Sequence, residues 1–89
     1  MPIISMFYGV IIYMYAMDDR QHHCPHIHVE YAEFEAALEI PSGALLAGKL
    51  PPRQMKLVQA WIEIHADELM ADWKVAMHGG EIFRIDPLR

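Results

Sequence analysis

The sequence predicts an α+β fold: a small, mostly antiparallel β-sheet packed on one face by a C-terminal helical stretch, either two helices or one bent helix. Three observations carry this. Residues 26–40 alternate in character with the period of two that a strand shows. From Arg53 to His78, apolar residues recur at steps of three and four with no proline or glycine between them. The 89 residues suffice for one core and are too few for two, so a single domain over 1–89 is expected.

Ile3 to Ser5 reads as a short first strand, with Gly9 as a turn or bulge before the next. Val10 to Ala16 is apolar on both alternating faces, which suits a central strand covered on both sides, or on one side by a partner subunit. Residues 1–17 carry no charge. A spanning helix needs about 20 apolar residues, and a secretory signal needs a positive start. This run is shorter, holds Gly9, and ends in Asp18 and Asp19. Buried strands account for it, and no membrane role is expected.

Pro25 lacks an N–H and holds Cys24 extended, so the next strand begins near His26. Ile27, Val29 and Tyr31 then point one way, and His26, His28 and Glu30 the other. Phe34, Ala36, Leu38 and Ile40 alternate with Glu33, Glu35, Ala37 and Glu39. A hairpin with Ala32-Glu33 at its tip pairs Tyr31 with Phe34, Val29 with Ala36 and Ile27 with Leu38. On the polar face it pairs Glu30 with Glu35, His28 with Ala37 and His26 with Glu39, so the two faces match. Ala-Glu is a poor pair for a primed turn, which leaves a longer loop open. Glu30 opposite Glu35 is a like-charge pair, and Ala37 leaves space above His28. The polar face thus reads either as a shallow pocket lined by His26, His28, Glu30 and Glu35 or as a plain solvated surface.

Pro41-Ser42-Gly43 is a turn, and Ala44 to Ala47 adds a short edge strand ending at Gly48. Pro51-Pro52 starts a helix, and Gly79-Gly80 stops it. Val58, Trp61, Ile62, His65, Leu69, Trp73, Ala76 and Met77 form its buried stripe. A straight helix over this span would be about 39 Å long, against roughly 30 Å for a domain of this size. A break near His65 to Asp67 follows. Glu81 to Asp86 alternates and is expected to return as a strand before Pro87.

The net charge of −5 argues against a non-specific nucleic-acid binder, which normally has a basic face. Only a local patch at Lys49, Arg53 and Lys56 offers one. A single cysteine forms no internal disulfide, which points to a reducing, cytoplasmic setting.

The chemistry concentrates between His22 and Tyr31, which hold four of the six histidines, the cysteine and a carboxylate. His22, His26 and His28 read H-x3-H-x-H. Three imidazoles bind zinc or another divalent transition metal and leave a fourth position, for which Cys24 or Glu30 is available. The same residues suit acid–base chemistry, since imidazole titrates near neutrality. His28 would be the base with Glu30 or Glu35 orienting it, and Arg53 or Arg20 would hold a phosphate. A structural role, with the histidines bonded to neighbouring carboxylates, explains the same pattern. His65 on the helix stripe reads as a core residue with satisfied ring nitrogens, Cys24 as a small hydrophobe, and Trp61 and Trp73 as core.

The opening Met-Pro-Ile-Ile-Ser-Met-Phe-Tyr-Gly, the Cys24-Pro25-His26-Ile27-His28 core, Glu33-Phe34-Glu35-Ala36, Leu50-Pro51-Pro52-Arg53 and the Trp61-to-His65 helix resemble the prokaryotic "domain of unknown function 4160" family. The likeness runs over nearly the whole chain. His22, His26 and His28 fall on the histidines of the family motif (His, any residue, Pro-Pro-His-Phe-His), and Arg53 on its arginine after Leu-Pro. Cys24 stands where the first proline is usual, with His23 before it, and Ala32 where a glycine commonly makes the hairpin turn. The resemblance implies a cytoplasmic bacterial or archaeal protein, one half of a two-gene toxin–antitoxin-type module, with a small protein partner encoded nearby. A homo-oligomer is a second kind of partner. On this reading the histidine face is the working surface; the alternative is a metal-binding protein or metal-dependent hydrolase.

Overall fold

A computed structural model describes residues 2–16 and 24–89. Five strands form one antiparallel sheet in sequential order: β1 (Ile3–Phe7), β2 (Val10–Tyr13), β3 (His26–Tyr31), β4 (Phe34–Glu39) and β5 (Leu45–Gly48). Two helices follow, α1 (Pro52–Ile64) and α2 (Ala66–Met77). The fold is α+β, with the helices on one face of the sheet.

Period-two patterning decides which face they cover. Val10, Ile12, Ile27, Val29, Ala36 and Leu38 are buried together with Val58, Trp61, Ile62, Leu69 and Ala76 of the helices. Transfer of such side chains from water supplies the main driving force for this layer. The β3–β4 register is the one obtained by counting from the hairpin tip: Tyr31 with Phe34, Val29 with Ala36, Ile27 with Leu38, Glu30 with Glu35, His28 with Ala37 and His26 with Glu39. The loop is the tight one, with Ala32 at φ +51°. The β1–β2 connection is equally tight. Tyr8 (φ +49°) and Gly9 (φ +80°) both take positive φ there, as a type I′ hairpin turn requires.

The expected helix break falls at His65. Its φ/ψ of −111°/24° ends α1 and caps α2, while Asp67 and Glu68 enter the first turn of α2, where carboxylates are favoured. The longest dimension of the molecule is 33 Å, too short for the unbroken helix. His65 lies beside Trp61 (5.6 Å between ring centroids) and its Nδ1 bonds Glu68 at 2.6 Å.

One expectation is corrected. Residues 81–86 form no strand. Instead the tail is tied at three separate points: Phe83 N–H donates to Asp72 Oδ1 (3.1 Å), Ile85 N–H to the Ile4 carbonyl (2.8 Å), and Trp61 Nε1–H to the Asp86 carbonyl (2.8 Å). Alternation in the tail reflects Ile85 turning inward, not ladder pairing. Among the described residues, no helix is long and apolar enough to cross a membrane.

Candidate functional site

The helices cover one face of the sheet; the candidate site lies on the other. Across that face the register sets two rows. Tyr13, His28, Ala37 and Ala47 stand side by side on β2 to β5, and Ile11, Glu30 and Glu35 form the next row on β2 to β4. Ala37, Ala47 and Gly48 make a low floor, and His28, Glu30, Glu35 and Tyr15 rise around it. The result is an open cavity of about 320 Å³.

Gly48 fixes the near edge of this floor. It has φ +74°, and a Cβ on it would fall 2.1 Å from the Glu35 carbonyl oxygen. No other residue fits there without moving β4 or β5.

The expected neighbours His28, Glu30 and Glu35 do line one cavity. Tyr15 joins them in the lining, and Tyr13 stands beside His28 in its row; neither tyrosine stands out in the sequence. Their rings stack at 6.3 Å with 3° between planes, and Tyr15 meets the His28 ring edge-on at 4.6 Å. Burial, and then the carboxylates of Glu30 and Glu35, push the Tyr13 hydroxyl above its ordinary pKa, and it is hydrogen-bonded to Glu30. That bond orients one member of the acidic pair.

His26 does not line the cavity. It is 1% exposed, and its ring packs 5.1 Å from His28 on one side and 5.1 Å from Trp73 of α2 on the other. Its Nδ1 lies 2.8 Å from the Cys24 carbonyl; a carbonyl only accepts, so Nδ1 carries the proton. Burial, and then hydrogen bonding to Glu39 and its charge, push the Cys24 thiol above its ordinary pKa. His22, His23 and Arg20 lie outside the described residues. Among the described residues, no group of three or more His, Cys, Asp or Glu side chains is arranged to hold a metal.

Arg53 is placed elsewhere. It lines a second cavity of about 300 Å³ with Tyr8, Leu57, Leu88 and Arg89, and His28 and Glu30 are not part of that lining. Nothing in the strand period relates the first turn of α1 to the β3–β4 hairpin, so sequence spacing could not have separated them. Of the local basic patch, Lys49 reaches over the Phe34 ring (6.0 Å to its centroid), while Arg53 and Lys56 are exposed on α1.

Residues 9–74 match the model of the family described as Domain of unknown function (DUF4160). The chain belongs to that family. The matched span takes in β2 to β5, α1 and most of α2, and therefore both rows of the open sheet face. No curated protein and no solved structure matches the chain.

Proposed function

We propose that this member of the DUF4160 family is the protein-binding component of a two-gene, toxin–antitoxin-type module, and that its open sheet face is the working surface. The observation that carries the reading is the cavity over Ala37, Ala47 and Gly48, with His28, Glu30, Glu35 and Tyr15 around it. Tyr15 supplies rigid apolar area there, and two carboxylates supply charge for a basic partner segment. The single cysteine and the family resemblance fit a prokaryotic cytoplasm.

Co-expression with the product of the neighbouring gene tests this. A stable complex is expected on size exclusion, and Glu35→Lys with His28→Ala should weaken it at least tenfold. A complex that forms unchanged with the doubly substituted chain rules out the open face. Should the chain arrest growth when expressed, relief by His28→Ala in a folded variant assigns catalysis to this face, with His28 as base and Glu30 beside it; persistence of arrest removes it.

The adjacency of the His26 and His28 rings favours one second reading, a metal-binding protein or metal-dependent hydrolase using His22, His26 and His28, with Cys24 or Glu30 as fourth ligand. Metal analysis of protein purified without a histidine tag separates the two. Stoichiometric zinc lost in His22→Ala and His28→Ala supports it, and no uptake of added zinc removes it.

A further inference from the structure

The second cavity belongs to neither reading. It lies between the β1–β2 turn, the first turns of α1 and the C-terminal tail, and encloses about 300 Å³, the lower end of the range for small-ligand sites. Arg53 and Arg89 line it, and neither guanidinium forms an ion pair with a carboxylate of the described residues. Two cationic side chains at one concavity make it attractive to an anion. This happens in a chain whose net charge is −5, where carboxylates to pair with are plentiful.

The rest of the wall is apolar. Leu57 sits one helical turn beyond Arg53, on the same face of α1. Leu88 comes from the tail, which the Trp61–Asp86 and Ile85–Ile4 hydrogen bonds hold in place. Tyr8 closes the third side, with 58% of its surface exposed. It occupies the first central position of a type I′ turn at φ +49°, where asparagine or glycine would be at ease and a large aromatic residue is strained. Stability of the turn alone does not account for a tyrosine there; a ring serving the cavity does. The first turn of α1 contains no acidic residue and no side-chain cap, so the positive end of the helix adds to the two arginines.

We infer that this cavity is a binding site for a small organic anion, whose carboxylate or phosphate head bridges Arg53 and Arg89 and whose apolar body lies against Leu57, Leu88 and Tyr8. A polyanion such as nucleic acid does not suit it. Two guanidiniums neutralise one head group, and the acidic remainder of the surface repels a long chain of phosphates.

The test is an NMR titration of the intact chain with octanoate, octyl phosphate, inorganic phosphate and octyltrimethylammonium. Octanoate or octyl phosphate should shift the Leu57 and Leu88 methyls saturably, and whichever binds more tightly identifies the head group. Inorganic phosphate should bind at least tenfold more weakly, and the cationic octyl compound should not bind. Arg53→Gln and Arg89→Gln should each weaken binding about tenfold, the scale of one charge-assisted hydrogen bond. Both arginines are exposed, so the thermal midpoint should hold.

Tyr8→Asn gives a readout that a purely structural tyrosine would not: the thermal midpoint should rise while affinity falls. Saturable binding of neither octyl anion, equal binding of the cationic compound, or affinity unchanged in the Arg53→Gln/Arg89→Gln protein would each overturn the inference. So would a single-stranded oligonucleotide binding more tightly than either octyl anion.

Discussion

Glu30 and Glu35 stand directly opposite each other across β3 and β4, on the face the helices leave open. A like-charge cross-strand pair works against the hairpin that creates it. Glu35→Gln removes the repulsion without altering shape, and should stabilise the fold by a few tenths to about 1 kcal/mol. Urea unfolding checks this, and the gain should shrink at high salt because the pair is near solvent. If the partner bears a basic group, the same substitution weakens the complex. Opposite signs in the two assays would mark the pair as functional.

Gly48 makes the reverse case. With a Cβ only 2.1 Å from the Glu35 carbonyl oxygen and a φ of +74°, Gly48→Ala must displace β5. A loss of more than about 2 kcal/mol is expected, as for other substitutions at backbone positions that only glycine accepts. Urea midpoints and amide exchange along β5 measure it.

The tip of the β3–β4 hairpin carries strain of a milder kind. Ala32 sits at φ +51°, where an L-residue other than glycine costs roughly 1–2 kcal/mol. Ala32→Gly relieves that cost and gives back part of it through the looser unfolded chain. A net gain of up to about 1 kcal/mol in thermal unfolding is expected.

Asp72 sets a pH dependence. It is buried, its Oδ1 accepts from Phe83 N–H and its Oδ2 has no partner among the described residues. Burial raises its pKa above the ordinary value of 3.8, partly countered by the Phe83 bond, with Glu68 adding to the rise. An acid whose folded pKa is raised binds its proton more tightly in the folded state. Its charge therefore costs stability as pH climbs from 3.8 through the folded pKa, and the cost is complete above it. Asp72→Asn cannot ionise. Plotted from pH 3 to 8, the difference in unfolding free energy between variant and parent should move in favour of the variant; a flat difference would refute the account.

Much of this was legible in the chain, for reasons that differ by element. The β3–β4 register followed by counting because each strand has one apolar and one polar face, and a slip by one residue would bury Glu30 in place of Val29. The break at His65 followed from length alone. The tail misled because three isolated hydrogen bonds, to Asp72, Ile4 and Trp61, leave the same alternating trace as a strand. His26 misled for a related reason. Alternation puts it on the face of His28, but the Trp73 ring packs against it and buries it, and no local pattern announces a contact with a helix more than forty residues on. Tyr13 and Tyr15 were hidden in a run apolar on both sides, and the partition of Arg53 to its own cavity depends on a tail whose path the sequence does not reveal.

The margins of the sheet bear on how the protein avoids its own copies. β5 is four residues long, its pairing with β4 slips between Ala37 and Leu38, and it ends at the left-handed Gly48. On the opposite margin, the tail already occupies the Ile4 carbonyl. Neither border presents a long flat template of open amides and carbonyls, the feature that seeds fibrillar stacking. Addition of a further strand at either border is therefore disfavoured, which leaves the broad sheet face as the larger surface open to contact.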